Sequence, residues 1–216
     1  QGVFDRSGAS RPAIADPVRP TKIRDGRIED IRECIGCNVC VASDAYSVPL
    51  MCTQNPTISQ EWKRGWHPEN IPSAPRAERS LIIGSGPAGL ECALTLAKAG
   101  HDVTLAEQSS EFGGRVRMER RLQGLSAWGR VADHRLYQLS QRANAALYAH
   151  SRIGVPEAGA FEADNIIVAT GATWRGDGVG ATRFRAIDGF AGQALTPDDI
   201  MAGVEVDGPI VIYDDD

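Results

Sequence analysis

The run from Ser80 to Glu107 leaves this chain few folds to choose from. Ser80-Leu81-Ile82-Ile83 reads as a short apolar strand, and Gly84-Ser85-Gly86-Pro87-Ala88-Gly89 follows it directly. Leu90, Ala93, Leu94 and Ala97 then recur at helical spacing until Gly100 stops the helix. Asp102-Val103-Thr104-Leu105-Ala106 is a second strand, ending at Glu107. Strand, glycine loop, helix, strand and acid within about thirty residues form the dinucleotide-binding fingerprint in its full context. Gly84 makes the turn, Gly86 admits a pyrophosphate, and Gly89 lets the helix pack on the strand. The helix start at Pro87-Ala88-Gly89 presents free N–H groups (none from the proline itself) and partial positive charge to phosphate, with Ser85 in the same loop. Glu107 is placed to accept hydrogen bonds from ribose hydroxyls. An α/β, Rossmann-like domain binding ADP or FAD is the expectation, against a nucleotide fold kept only for structure. The loop recognises the half that ADP and FAD share, so it does not choose between them.

Two further stretches belong to that domain. Gly113-Gly114-Arg115 is a tight turn that would bring backbone and a guanidinium (Gly114, Arg115) to the nucleotide, with an ordinary helix-starting loop as the alternative. Asn165-Ile166-Ile167-Val168-Ala169 reads as another buried strand, closing in the small polar turn Thr170-Gly171, a further nucleotide-binding candidate.

Upstream lie Cys34, Cys37, Cys40 and Cys52, in the pattern C-x2-C-x2-C-x11-C. Three thiolates within seven residues suit three corners of a cube, and a fourth one loop away closes it, the spacing of a [4Fe–4S] site. Gly36 lets the backbone curl close enough for an amide to reach inorganic sulfide. Zinc usually takes two well-separated pairs of ligands, and disulfides would suit a secreted chain, which nothing else here resembles. Four protein thiolates leave no iron an open position, so the expected role is electron relay. Cys92, on the helix after the glycine loop, reads as a small core residue. A helix is expected over Asp25 to Glu33, with Ile28 and Ile31 on one face, and Trp66 and His67 are expected to pack near the cysteine segment.

The chain has 216 residues, 42% hydrophobic and 24% charged, enough for one or two domains with a real core. A net charge of −5 with no Lys/Arg block argues against nucleic acid as partner. No apolar run approaches 18 residues, so no membrane span is expected. The amino terminus shows no signal-peptide core, and a cytoplasmic location is the expectation. Pro209-Ile210-Val211-Ile212-Tyr213 reads as a buried strand just before the last residues, as though the chain were the middle of a longer protein. No Ser/His/Asp set or carboxylate pair suggests hydrolysis.

Five blocks, in order, carry a resemblance. They are Arg11-Pro12-Ala13-Ile14-Ala15-Asp16-Pro17, Cys34 to Cys40, Cys52-Thr53-Gln54-Asn55-Pro56, Arg64-Gly65-Trp66-His67-Pro68-Glu69, and the glycine loop. Together they resemble the iron–sulfur flavoprotein branch of the Old Yellow Enzyme superfamily, most of all the trimethylamine and dimethylamine dehydrogenases and relatives acting on histamine or N-methylated amino acids. The resemblance implies a TIM barrel binding FMN and oxidising a small amine. The [4Fe–4S] cluster would then pass electrons from FMN to an electron-transfer flavoprotein or similar acceptor, beside a glutathione-reductase-like domain holding ADP or FAD. Assembly as a homo-oligomer is implied as well. Residues 1–33 would be the carboxy-terminal edge of the barrel, 34–75 the cluster segment and linker, 76–207 an incomplete nucleotide domain, and 208–216 the start of a second one. Arg11 would hold the FMN phosphate, in keeping with phosphate sites in the last barrel loops and with arginine's fit to phosphate oxygens.

The 2,4-dienoyl-CoA reductases share this architecture but run electrons from NADPH towards FMN. Their cluster motif is one residue longer in its second gap, whereas only Asn38 and Val39 separate Cys37 from Cys40. That favours the amine-dehydrogenase branch over the enoyl reductases; an electron-transfer module with no substrate of its own is the alternative of another kind. Two positions depart from trimethylamine dehydrogenase near its acceptor-docking site: Glu33 stands where a valine precedes the first cysteine, and His134 aligns with a tyrosine.

Overall fold

A computed structural model describes residues 8–190 and 192–214. Residues 1–7, part of the expected barrel edge and the place where a leader was looked for, and residues 215–216 lie outside the described residues. The fold has two compact units, one running through Thr170 and the other starting at Gly171.

In the first unit, β1 (Arg79–Ile83), β2 (Asp102–Ala106), β3 (Ala145–Tyr148) and β4 (Asn165–Val168) form one parallel sheet in the order β3-β2-β1-β4. Leu81 and Ile82 in β1 have no exposed surface, because this strand has neighbours on both sides. α5 (Pro87–Ala99) crosses from β1 to β2, and Leu90, Ala93, Leu94 and Ala97 face the core as their spacing predicts. Val103 and Leu105 of β2 complete the cluster, with Val116 of α6 (Val116–Glu119) and Ala132 and Leu139 of α7 (Arg130–Ser140). The strand order reverses at β1: the chain builds outward to β3, passes α8 (Val155–Ala160), and returns to the other side as β4. A crevice opens at the carboxyl ends of strands at such a switch point. β4 differs from the buried strand expected. It lies at the sheet edge, and Ile166 and Val168 are 46% and 70% exposed.

Before the sheet come α1 (Arg11–Ala15), α2 (Arg19–Arg24), α3 (Val39–Ala45) and α4 (Glu61–Arg64), joined by long loops. Buried charge organises this region. Lys22, 2% exposed, donates to Asp16 Oδ2 (2.8 Å), the Asp30 carbonyl (2.9 Å) and Glu69 Oε1 (3.1 Å), so all three ammonium protons have acceptors. The Arg32 guanidinium reaches Glu69 and the Ala15 carbonyl, and its backbone N–H donates to Asp16. These bonds correct the helix expected over Asp25 to Glu33. The Asp30 carbonyl and the Arg32 N–H are held by buried side chains rather than by helical partners, and only a 3-10 turn at Ile28–Asp30 remains. Trp66 is 48% exposed, with the Arg64 guanidinium over its ring at 4.8 Å. His67 instead caps a turn, its Nδ1 accepting from the N–H groups of Glu69 and Asn70. Cys92 packs against the core, as expected.

The second unit contains α9 (Pro197–Met201), capped by Thr196 and Asp199, whose side chains bond each other's backbone N–H. Phe190 and Tyr213 meet edge to face at 5.6 Å. Among the described residues Pro209 to Tyr213 does not form a strand, and Val211 and Ile212 are 93% and 87% exposed. Extended backbone becomes a strand only when a neighbour takes its N–H and C=O groups.

Candidate functional site

β1 delivers the chain to the glycine loop at the centre of the switch point. Gly84 adopts φ +101°, and a side chain there would overlap the Ala169 carbonyl. A Cβ at Gly89 would overlap the Gly84 carbonyl oxygen, so α5 can rest directly on the turn only as glycine. Gly86 caps α5 in an extended conformation and Pro87 opens its first turn. The leading amides of a thirteen-residue helix therefore face the crevice end of the sheet with positive dipole, the arrangement that receives phosphate.

Glu107, 7% exposed, stands just past β2 and braces this loop. Its Oε2 accepts the Ser85 N–H (2.9 Å) and hydroxyl (2.6 Å), and its Oε1 accepts the Ser109 N–H and hydroxyl (both 2.9 Å). Burial pushes the carboxyl upward, but the bonds from Ser85 and Ser109 outweigh it and hold the pKa below the usual glutamate value. The two serine hydroxyls occupy acceptor positions on the carboxylate that ribose hydroxyls could take.

The Gly113-Gly114-Arg115 turn does approach the loop. The Gly113 N–H donates to the Ser85 carbonyl (3.0 Å) and lies 3.1 Å from its hydroxyl, and a Cβ at Gly114 would sit 3.0 Å from Gly86 Cα. Arg115 is the N-cap of α6. Thr170 lies beside Gly84 at the end of the first unit, and Gly171, at φ +82°, begins the second.

All four expected cysteines line one small cavity, with Arg11, Ile14, Ile35, Asn38, Thr53 and Gln54. None is in a disulfide. Amides converge on the sulfurs: Gly36 N–H on Cys34 Sγ (3.5 Å), and Gln54 and Asn55 N–H on Cys52 Sγ (both 3.4 Å). The Thr53 hydroxyl lies 3.2 Å from Cys37 Sγ. Gly36 takes φ +74°, the turn expected of it. Among the described residues no three His, Cys, Asp or Glu side chains are set to hold a single metal ion. The thiols line a cavity, with backbone amides directed at two of the sulfurs. Arg11 reaches this cavity as well, donating to Asn38 Oδ1.

Sequence reasoning missed how the cysteine loop is held. Arg135, 3% exposed, donates to Glu91 Oε2 (2.7 Å), Gln54 Oε1 (3.1 Å), the Gln54 carbonyl (3.4 Å) and the Val131 carbonyl (2.8 Å). Gln54 in turn donates to the Glu33 carbonyl, and Asn55 to that of Ile14. One signal was available: Arg135 falls four residues from both Val131 and Leu139, on the apolar stripe of α7. Of the two positions that depart from trimethylamine dehydrogenase, Glu33 is surface-exposed and pairs with Arg130 at 3.1 Å. His134 is partly buried, and its Nδ1 has no hydrogen-bond partner among the described residues. Burial first, then Arg32, Arg135 and Lys22, against a weaker pull from Glu69, take its pKa down to about 3.

Residues 78–188 match the family model described as pyridine nucleotide-disulphide oxidoreductase. The chain belongs to that family. It is also homologous to amine dehydrogenases and oxidases. Dimethylamine dehydrogenase from Hyphomicrobium sp. (strain x) is 37% identical over 226 residues, covering 99% of this chain and 31% of the relative. The solved 6-hydroxypseudooxynicotine amine oxidase from Pseudomonas geniculata N1 is 51% identical with a TM-score of 0.88, over 94% of this chain and 30% of that one. Histamine dehydrogenase from Rhizobium sp. 4-9 is 46% identical with a TM-score of 0.84, over 95% and 30%. The chain thus spans about a third of the length of these family relatives.

Proposed function

We propose that this chain is the electron-transfer portion of a flavin-dependent amine dehydrogenase or N-demethylase. The observation that carries the reading is the single cavity lined by Cys34, Cys37, Cys40 and Cys52, with amides on its sulfurs, seated against a nucleotide domain. Those four thiolates would hold a [4Fe–4S] cluster, which when bound supplies one-electron relay. The backbone N–H groups of Gly36, Gln54 and Asn55 are aimed at sulfur, and the Thr53 hydroxyl lies beside Cys37. Gly84 to Gly89, Glu107, Gly114, Arg115, Thr170 and Gly171 would hold ADP or FAD, phosphate at the start of α5 and ribose at Glu107. Residues 8–33 would edge an FMN-binding barrel, with Arg11 available to its phosphate. Homology to amine dehydrogenases and oxidases supports a small amine as substrate of the whole protein, and the two-residue gap between Cys37 and Cys40 supports this direction of electron flow.

Anaerobic reconstitution tests the cysteine site. About four irons per chain and an EPR signal on reduction are expected, whereas one zinc per chain with no iron uptake refutes it. Anaerobic stopped flow on the full-length protein tests the substrate class, with NADPH in one syringe and di- or trimethylamine, histamine or dimethylglycine in another. An amine should bleach the flavin. Bleaching by NADPH alone would make the protein an enoyl reductase.

A further inference from the structure

We propose that Arg135 is a positioning residue for the cysteine site, holding Gln54 so that its backbone N–H stays on Cys52 Sγ. The inference rests on the cluster reading above and goes beyond it, since it assigns the tuning of that site to the nucleotide domain. The path is continuous. Glu91, one turn into the helix that opens at the glycine loop, accepts from Arg135 Nε at 2.7 Å. The Arg135 Nη atoms reach Gln54 at its side-chain oxygen (3.1 Å) and its carbonyl (3.4 Å). Gln54, 1% exposed, gives its side-chain amide to the Glu33 carbonyl beside Cys34 and its backbone N–H to Cys52 Sγ. Both ends of the cysteine motif are thereby tied to one guanidinium on α7.

The chemistry follows from where the N–H dipoles point. An amide directed at a ligating thiolate stabilises the more negative, reduced state and raises the reduction potential. Arginine's rigid fork can serve Glu91, both oxygens of Gln54 and the Val131 carbonyl together. A lysine, with three donors at one point on a flexible stem, cannot span them. Loosening Gln54 takes one of the two amide donors from Cys52 while leaving every ligand in place.

The test uses the full-length protein, purified anaerobically, as wild type, Arg135→Lys, Gln54→Met and the double variant. Iron content, thermal midpoint and an EPR-monitored redox titration are read on each. Each single variant should retain its iron and show a lower midpoint potential. The double variant should shift no further than the larger single one, because both act through the same amide. Iron-loaded variants with wild-type potential and EPR spectrum, whatever their thermal midpoint, would make Arg135 a plain structural brace and overturn the inference alone. Should Arg135→Lys not fold, Gln54→Met decides by the same criterion. Wild-type protein that takes up no iron overturns the cluster reading, and this inference with it.

Discussion

Glu107 braces the glycine loop at the place proposed for the ribose. Two hydrogen bonds from Ser85 join the end of β2 to the glycine loop and two from Ser109 steady the carboxylate, so Glu107→Ala should act twice. Adenine-nucleotide binding should weaken by on the order of 1.5–3 kcal/mol, the range for hydrogen bonds to a charged group, and the thermal midpoint should fall without ligand. Calorimetry on ADP and a ligand-free melt separate the effects; unchanged affinity would reduce Glu107 to a brace. His134 gives a pH signature. Its folded pKa is about 3 against an ordinary 6.5, so on acidification the unfolded chain takes the proton first. Its share of stability is whole above about pH 6.5 and is lost as pH falls towards 3. His134→Gln should flatten that part of the curve of thermal midpoint against pH between 7 and 4. An unchanged slope would rule the histidine out as its source.

At the scale of elements, the close seat of α5 on the β1 turn is what aims its amino terminus at the crevice. A methyl at Gly89 would overlap the Gly84 carbonyl oxygen, so Gly89→Ala must push the helix away. Such overpacking costs about 1–3 kcal/mol, read as a lower urea midpoint at unchanged slope. Nucleotide affinity should fall with it, since the displaced amides no longer converge. Ala at Gly86, where a Cβ meets nothing within 4 Å, should be far milder in stability. Equal destabilisation by the two would refute the steric account. The edge strand β4 shows the opposite case: its apolar run is the signature of a buried strand, yet its place in the strand order leaves Ile166 and Val168 open.

Across the first unit, polar ties join the cysteine region to α5 and α7, the helices packed on the sheet. Gln138 donates to Asp30, Lys98 to the Pro68 carbonyl, Arg135 to Gln54, and the Ala74 N–H to the Ala99 carbonyl. With Asp16, Lys22 and Arg32 buried together and the partly buried Glu69 paired to two of them, residues on both sides of β1 should unfold in one transition. Lys22→Met removes the main partner of a fully buried carboxylate, Asp16, and should cost about 3–5 kcal/mol. In the full-length protein, hydrogen exchange should then rise together over residues 12–70 and over β1. Protection lost only before β1 would show that the two regions open separately.

The sequence by itself determined the features whose signal is local. The glycine loop and its flanking strands and helix are legible because sterics and 3.6-residue periodicity act over a few positions. The cysteine spacing is legible because thiolates near in sequence must be near in space. Tertiary structure alone decided what depends on partners far along the chain. Lys22, Arg32 and Arg135 carry no local sign of the acceptors that make their burial tolerable, except that Arg135 interrupts an apolar stripe. The helix expected over Asp25 to Glu33 and the strand expected over Pro209 to Tyr213 failed for the same reason. A backbone group takes whichever partner the assembled fold supplies, and a buried charge or a missing neighbour strand overrides local preference because an unmet hydrogen bond or an unpaired charge costs more than propensity can return.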